Sequence, residues 1–206
     1  MKPFQILKIL LPAILCLLPA ISSAQSSILV FGDSLSAGYG IPREAAWPSL
    51  LQGELQRTHP HYKVINASIS GETTSGGVRR LPATLKEHKP SIVIIELGAN
   101  DGLRGTRLNL TEKNLETLIK QAQAAHAKVL MLGMQIPPNY GADYAKRFKS
   151  LYTRLAQRHA IALVPFMLNG VEAEQFQADN LHPTAEAQPK ILKTVLQQLK
   201  PMLKNN

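Results

Sequence analysis

The feature that most constrains the fold is a regular alternation of continuous apolar segments with amphipathic ones. The clearest apolar segment, SIVIIEL at 91–97, is rich in β-branched residues and lies between Pro90 and Gly98. A short, unbroken apolar run with such boundaries is typical of a strand buried on both faces. Four further strands are predicted on the same grounds, at residues 27–31, 62–67, 128–134 and 161–164.

The segments between these strands have helical periodicity. From 111 to 126, Leu115, Leu118 and Ala122 recur at intervals of three or four residues, and Thr111 is the expected N-cap. Other helices are predicted at 47–57, 76–88 and 140–159, and in a last segment that has Pro189 in its first turn. Apolar strands separated by amphipathic helices predict an α/β domain with a parallel sheet covered on both faces.

The N-terminus has the pattern of a secretory signal peptide. Lys2 and Lys8 precede an apolar run at 9–21, and small residues follow it. Thirteen apolar residues are too few to span a bilayer comfortably, so an uncleaved anchor is the less favoured alternative. We predict a signal peptide at 1–24, a single domain at 25–206, and a periplasmic or secreted protein.

Charge and cysteine content limit the possible partners. The net charge of +9 becomes +7 without the two lysines of the signal segment, which contains no acidic residue. The only cysteine, Cys16, lies in the same segment, so the remaining chain can form neither a disulfide nor a cysteine metal site. No basic block is present, which argues against a nucleic-acid partner. Transient contact with a membrane lipid surface stays open, and a monomer is expected.

Polar, glycine-rich segments follow four of the predicted strands. They are GDSLSAGYG, SISGETTSGG, GANDG and QIPPNYG, in chain order. In parallel sheets, binding and catalytic sites form in the loops beyond the carboxyl ends of the strands. A phosphate-binding loop is excluded at the first segment, because no lysine occurs between Phe31 and Pro48. A dinucleotide fingerprint also fails there, because Arg43 occupies the position of its third glycine.

Ser34, in the first of these segments, is a candidate nucleophile. A serine hydroxyl needs a nearby base that is itself oriented by a third group. The segment DNLHP near the C-terminus provides both in Asp179 and His182, on a turn that ends at Pro183. Taken alone, the segment is better explained by an Asp179 that caps the last helix and a His182 that lies at the surface.

Two further loops contain candidate donors for an oxyanion. Gly71 allows close approach of the backbone, and Asn100 has a side-chain amide. Each also has a structural interpretation, since Gly71 can supply a positive φ and Asn100-Asp101-Gly102 is typical of a tight turn. The functional interpretation is favoured by their joint position, because each follows a different strand.

Seven segments of the chain resemble the SGNH, or GDSL, hydrolase family, and they occur in the family's order. They are GDSLSAGYG, AAWPSLL, VINASISGETTSGG, RLPATLKEHKP, ELGANDGLRG, MQIPPNYG and LHPTAEAQP. The resemblance covers nearly all of the chain after residue 24 and is strongest to the periplasmic acyl-CoA thioesterase, lysophospholipase and arylesterase group. It implies a flavodoxin-like three-layer α/β/α fold with a five-stranded parallel sheet. Ala99 departs from the pattern, because a second glycine is common there.

The resemblance also implies roles for individual residues. Ser34 would be the nucleophile, His182 the general base and acid, and Asp179 the residue that orients the histidine. Gly71 and Asn100, with the backbone N–H of Ser34, would form the oxyanion hole. No metal and no organic cofactor would be needed.

The resemblance and the loop positions together predict an apolar groove for an acyl chain, between 102–108 and 136–140. Its predicted walls are Leu103, Leu108, Ile136 and Pro137. Asp33 is expected to be a structural hydrogen-bonding residue, Asp101 a turn residue and Trp47 a core residue.

The predicted function is hydrolysis of ester and thioester bonds through an acyl-Ser34 intermediate. The substrates would be small acyl esters, thioesters or lysophospholipids. Two alternatives stay open from the sequence. One is a carbohydrate O-acetylesterase with the same catalytic residues, and the other is a non-catalytic periplasmic protein that binds acyl groups or lipids.

Overall fold

The structure, a computed structural model, describes residues 25–204 and contains one sheet of five parallel strands. The predicted signal peptide lies outside the described residues. The strands are β1 (Ser26–Gly32), β2 (Tyr62–Asn66), β3 (Ile92–Glu96), β4 (Lys128–Leu132) and β5 (Ala162–Val164). Their spatial order is β2-β1-β3-β4-β5. This is the flavodoxin-like order, so the fold prediction is confirmed.

The two central strands form the inner part of the core. Every residue of β3 is buried, and so is every residue of β1 from Ile28 onward. Each apolar side chain among them contributes about 1.5–3 kcal/mol by leaving water, which explains why runs of mostly β-branched and aromatic residues specify these strands. Trp47 is also fully buried, as predicted.

Seven α-helices are present in residues 25–204. They are α1 (Ser34–Ala37), α2 (Trp47–Thr58), α3 (Thr74–His88), α4 (Ala99–Leu103), α5 (Leu108–Ala124), α6 (Ala142–His159) and α7 (Gln188–Leu199). Helix α2 contacts α7, while α5 contacts both α3 and α6. The two groups cover the two faces of the sheet. None of these helices has the length and apolar character needed to cross a membrane.

The start of α5 differs from the prediction. The helix begins at Leu108, and its N-cap position is Arg107, whose side chain makes no capping hydrogen bond. Thr111 lies inside the helix and is fully buried, so the prediction that it is the N-cap was wrong. Burial against the core extends this helix by one turn beyond the residue that local capping preference favours.

The loops that follow the strands meet at the carboxyl edge of the sheet. Because β1 is hydrogen-bonded to both β2 and β3, the residues after Gly32 lie between the loops that follow those two strands. The backbone N–H of Ile69, after β2, donates to the carbonyl of Gly32. The short helix α1 therefore begins in the middle of this edge.

Candidate active site

Three side chains from two distant parts of the chain form a line of hydrogen bonds at this edge. Ser34 is the first residue of α1, and its Oγ lies 2.8 Å from Nε2 of His182. The other ring nitrogen of His182, Nδ1, lies 2.6 Å from Oδ2 of Asp179. A carboxylate can only accept, so Nδ1 donates to Asp179 and Nε2 accepts from the Ser34 hydroxyl. A general base for serine needs this tautomer.

The Asp179 carboxylate also organises the turn that presents the histidine. Its Oδ1 accepts hydrogen bonds from the backbone N–H groups of Leu181 and His182, at 2.9 and 3.0 Å. Side-chain and backbone hydrogen bonds from His182 lower the pKa of Asp179 to about 2, so it is ionised at neutral pH. Asp179 does not cap the last helix, because α7 begins at Gln188 and has no side-chain cap.

A second set of contacts connects this turn to the loop after α1. The backbone N–H of Gln177 donates to the carbonyl of His182 at 2.8 Å, and its Nε2 donates to the carbonyl of Tyr39 at 2.8 Å. The Gln177 amide lies directly against Gly40, which has a φ of 73°, and a Cβ at this position would collide with it. The Tyr39 ring lies against the imidazole of His182, with centroids 4.6 Å apart. Gly40 thus permits the close approach of two loops.

The three predicted oxyanion donors border one cavity. Within the described part of the chain, the backbone N–H groups of Ser34 and Gly71 have no acceptor, so both can donate to a ligand. Asn100 Nδ2 donates to Oδ2 of Asp33 at 3.1 Å and to the carbonyl of Glu72 at 3.0 Å. These two bonds orient the amide and use both of its hydrogens, so an oxyanion must share or displace one of them.

The cavity beside Ser34 has a volume of about 500 Å³, the size of a small-molecule site. Its apolar walls are Leu103, Met134, Ile136, Pro137, Phe166, Leu168, Phe176 and Leu181. Three of the four predicted groove residues are among them, but Leu108 is not. Leu108 instead packs against the hydrophobic core, because α5 begins there and not at Thr111.

Comparison with known proteins assigns this site to a family. Residues 30–188 match the model of the GDSL-like lipase/acylhydrolase family, and this range is well over half of the chain. The chain belongs to this family. The resemblance inferred from the sequence blocks is therefore confirmed.

Individual members of the GDSL-like family align over most of the chain. Esterase TesA of Pseudomonas aeruginosa is 48% identical over 183 residues, which are 88% of this chain and 91% of that relative. Thioesterase 1/protease 1/lysophospholipase L1 of Escherichia coli K12 is 40% identical over 194 residues, or 93% of this chain and 92% of the relative. A crystal structure of TesA has a TM-score of 0.84 at 47% identity and covers 86% of this chain and 100% of its own.

Some residues of the cavity wall were missed by sequence reasoning. Phe166 and Leu168 come from the loop after β5, and Phe176 lies just before the turn of Asp179. The rule that sites form beyond strand ends applies to the fifth strand as well, so the first two could have been found. Nothing local indicates Phe176, which reaches the cavity through the pairing of its backbone with Pro183.

Three acidic residues next to the site are almost completely buried, and the sequence analysis did not single out one of them, Glu96. Asp33 has the expected structural role, since its Oδ1 accepts from the backbone N–H of Leu35 at 3.0 Å and caps α1. Asp101 accepts from the hydroxyl and the backbone N–H of Thr74, at 2.6 and 2.9 Å. It therefore connects α4 to the start of α3 and is not merely a turn residue.

Burial dominates the electrostatics of the first two acids. It raises the pKa of Asp33 to about 6, against an ordinary value of 3.8. It also raises the pKa of Glu96 well above its ordinary value, and the neighbouring charge of Asp33 adds to this effect. Both shifts favour a neutral carboxyl in this buried pair.

Proposed function

We propose that this GDSL-like protein hydrolyses ester and thioester bonds through an acyl-Ser34 intermediate. The observation that carries the proposal is the line of hydrogen bonds from Asp179 through His182 to Ser34, at the edge of an apolar cavity. A serine hydrolase needs a nucleophile, an oriented base and oxyanion donors within reach of one carbonyl group. All of them border this cavity.

In the acylation step, Ser34 Oγ attacks the carbonyl carbon of the substrate while Nε2 of His182 takes the hydroxyl proton. Asp179, ionised and bonded to Nδ1, stabilises the imidazolium that forms. The carbon–oxygen or carbon–sulfur bond then breaks, and His182 gives its proton to the leaving alcohol or thiol. In the second step, water attacks the acyl-enzyme with His182 again as base, which releases the carboxylic acid and restores Ser34.

The negative charge on the carbonyl oxygen is held by fixed donors. The N–H groups of Ser34 and Gly71 have no other acceptor among the described residues. The Asn100 amide is held beside the cavity by Asp33 and Glu72, and it donates to the oxyanion when one of these two hydrogen bonds is shared or displaced. These contacts support the role of Asn100 as the third donor.

The apolar walls favour acyl chains over polar substrates. Leu103, Ile136 and Pro137 lie on the walls, and Ala99 borders the cavity beside Asn100. Acyl-CoA thioesters, aryl esters and lysophospholipids all present an acyl chain beside a reactive carbonyl group. We propose lysophospholipids and environmental esters as the natural substrates, because an exported enzyme meets little acyl-CoA.

We further propose that the protein is exported, on the pattern at 1–24, and acts as a monomer. Tyr39 and Leu181 line the cavity and are 53% and 44% exposed. Such exposed apolar side chains at the opening, on a chain of positive net charge, suit transient contact with the surface of a lipid aggregate.

The test is a hydrolysis profile of residues 25–206 with nitrophenyl esters, acyl-CoAs and lysophospholipids of short to long acyl chains. Turnover across several chain lengths is expected. An optimum confined to acetyl esters would favour a carbohydrate O-acetylesterase. Binding of acyl compounds without any turnover would favour a non-catalytic lipid-binding protein.

A serine-reactive phosphonate tests the nucleophile directly. Intact mass and peptide mapping should find one adduct, on Ser34, and Ser34→Ala should abolish it. An adduct on another residue, with turnover retained in Ser34→Ala, would overturn the proposed nucleophile.

A further inference from the structure

A buried pair of carboxyl groups lies directly behind the nucleophile, and neither group takes part in the bond-making and bond-breaking steps proposed above. Asp33 precedes Ser34, and Glu96 is the last residue of β3. Both side chains are 0% exposed, and they lie within hydrogen-bonding reach of each other. In the pairing of β1 with β3, Glu96 is opposite Gly32, so the sheet itself brings the two acids together.

The two oxygens of Glu96 have different surroundings. Oε2 accepts from the backbone N–H of Asp33 at 3.2 Å and from the hydroxyl of Ser36 at 2.8 Å. Oε1 is buried and has no donor among residues 25–204. Gly32 makes room for this arrangement, since a Cβ there would lie 2.5 Å from Oε2. A buried, ionised carboxylate rarely has an oxygen that lacks a hydrogen-bond donor.

The donors to the pair are all uncharged in the described part of the chain. They are backbone N–H groups, the Ser36 hydroxyl and the Asn100 amide. Two ionised carboxylates in contact, with no cation to balance them and no exposure to water, are strongly disfavoured. If one of the two carboxyls is neutral, the repulsion disappears, and its hydroxyl can donate a hydrogen bond to the other carboxylate.

We propose that Glu96 is kept as a neutral acid whose Oε1–H donates to the Asp33 carboxylate, and that this bond positions Asn100 for the oxyanion. The chain of contacts runs from Glu96 to Asp33 and from Asp33 Oδ2 to Asn100 Nδ2. The inference deepens the proposed function and its kinetic part rests on it. Glu96 touches no substrate atom, so it is a positioning residue.

Burial supports a neutral carboxyl in this pair, because it raises the pKa of both Glu96 and Asp33. The proton is assigned to Glu96 because its Oε1 has no donor among residues 25–204. Other titratable groups also act on the pair. Tyr152 of α6 is fully buried, which raises its pKa, and the neighbouring acidic groups add to this shift. The positive charge of a protonated His182 lowers the pKa of Asp33.

Infrared spectroscopy tests whether Glu96 is protonated, and it does not depend on enzyme activity. At pH 8, where other carboxyls are ionised, the folded protein should show the carbonyl stretch of a protonated acid, and Glu96→Gln should lose it. Asp101→Asn is the matched control, since it removes a buried carboxyl whose donors come from Thr74, and the stretch should persist. Absence of the stretch in the wild type, or its survival in Glu96→Gln, would overturn the proposal.

Kinetics test the positioning role. Glu96→Gln keeps one donor and one acceptor, so its kcat near neutral pH should stay within a few-fold of the wild type. At alkaline pH the wild type should lose activity as Glu96 ionises. Glu96→Gln should not lose activity in this way, because the amide does not ionise. Glu96→Leu should lower kcat by roughly 10-fold with little change in KM, less than the loss of a whole oxyanion donor. Thermal unfolding of each variant shows whether it is folded.

The double variant Glu96→Leu/Asn100→Ala decides whether the effect passes through Asn100. If it does, Glu96→Leu should change kcat little once Asn100 is gone. Fully multiplicative losses would contradict the inference. Failure of the proposed function is distinguishable, because turnover by Ser34→Ala would refute the nucleophile and leave the infrared result unchanged.

Discussion

Two acidic residues in contact with the catalytic apparatus have opposite electrostatic properties. Asp179 is bonded to His182 and its side chain is 38% exposed, while Asp33 is fully buried beside Glu96. Hydrogen bonds from His182 lower the pKa of Asp179 to about 2, whereas burial raises that of Asp33 to about 6. The same type of side chain therefore has a lowered pKa in one place and a raised pKa in the other.

The comparison shows that donors and solvent determine the charge, and residue type does not. Asp179 accepts from two backbone N–H groups and an imidazole. Asp33 also accepts hydrogen bonds, but it has no contact with water and lies beside a second carboxyl, that of Glu96. In the proposed mechanism, Asp179 orients the base, and Asp33 orients the Asn100 amide through a single hydrogen bond.

The largest expected effect comes from making the same substitution in both places. Asp179→Asn should lower kcat by about 10⁴-fold, because an amide stabilises the wrong tautomer of His182 and cannot balance the imidazolium. Asp33→Asn should cost no more than about 10²-fold, since Asp33 acts through Asn100 and the cap of α1 and not on the reacting atoms. Steady-state kinetics with a nitrophenyl ester measure both. Equal losses of kcat in the two variants would contradict the different roles proposed for Asp179 and Asp33.

Asn100→Ala should lower kcat by about 10²–10³-fold with a small change in KM, because a donor used mainly in the transition state is lost. Asn114→Ala is the control, since that amide donates to Thr74 away from the cavity. Turnover of Asn100→Ala within a few-fold of the wild type would exclude Asn100 from the oxyanion hole.

The two acids should also affect stability in opposite directions as pH changes. Between about pH 4 and 6, Asp33 keeps its proton in the folded protein but loses it when unfolded, so the free energy of unfolding should fall as pH rises. The stabilisation from Asp179 is present above about pH 4 and is lost as pH falls towards 2.

Urea denaturation at a series of pH values measures these slopes. Asp33→Asn should remove most of the pH dependence of the free energy of unfolding between about pH 4 and 6. Asp179→Asn should remove it between about pH 2 and 4. If Asp33→Asn left the dependence between pH 4 and 6 unchanged, the raised pKa of Asp33 would be refuted.

The smallest expected effect tests the link between the two loops. Gly40→Ala should destabilise the protein by about 1–2 kcal/mol, because φ is positive there and a Cβ collides with Gln177. It should also lower kcat by displacing the turn of His182. The control is Gly53→Ala at an exposed position of helix α2, where a Cβ meets nothing within 4 Å and stability should rise by about 0.5–1 kcal/mol. Equal behaviour of the two variants would contradict the link.

Much of the fold could be predicted because its signals are local. Strand 91–97 differs from the observed β3 by one residue at each end, and the buried apolar run alone explains that agreement. The start of α5 was misjudged because a strong capping residue, Thr111, competes with burial that only the tertiary fold reveals. The error moved Leu108 from the helix into the predicted groove.

The sequence by itself determined the alternation of strands and helices, the family, and the loops in which Ser34, Gly71, Asn100 and His182 occur. These depend on patterns within a few residues and on a rule about strand ends. Only the tertiary structure decided which loops contact each other, how Gln177 reaches Gly40, and that Glu96 meets Asp33. These contacts join residues 60 or more positions apart, so they depend on strand order and on the space left by Gly32 and Gly40, which no local pattern encodes.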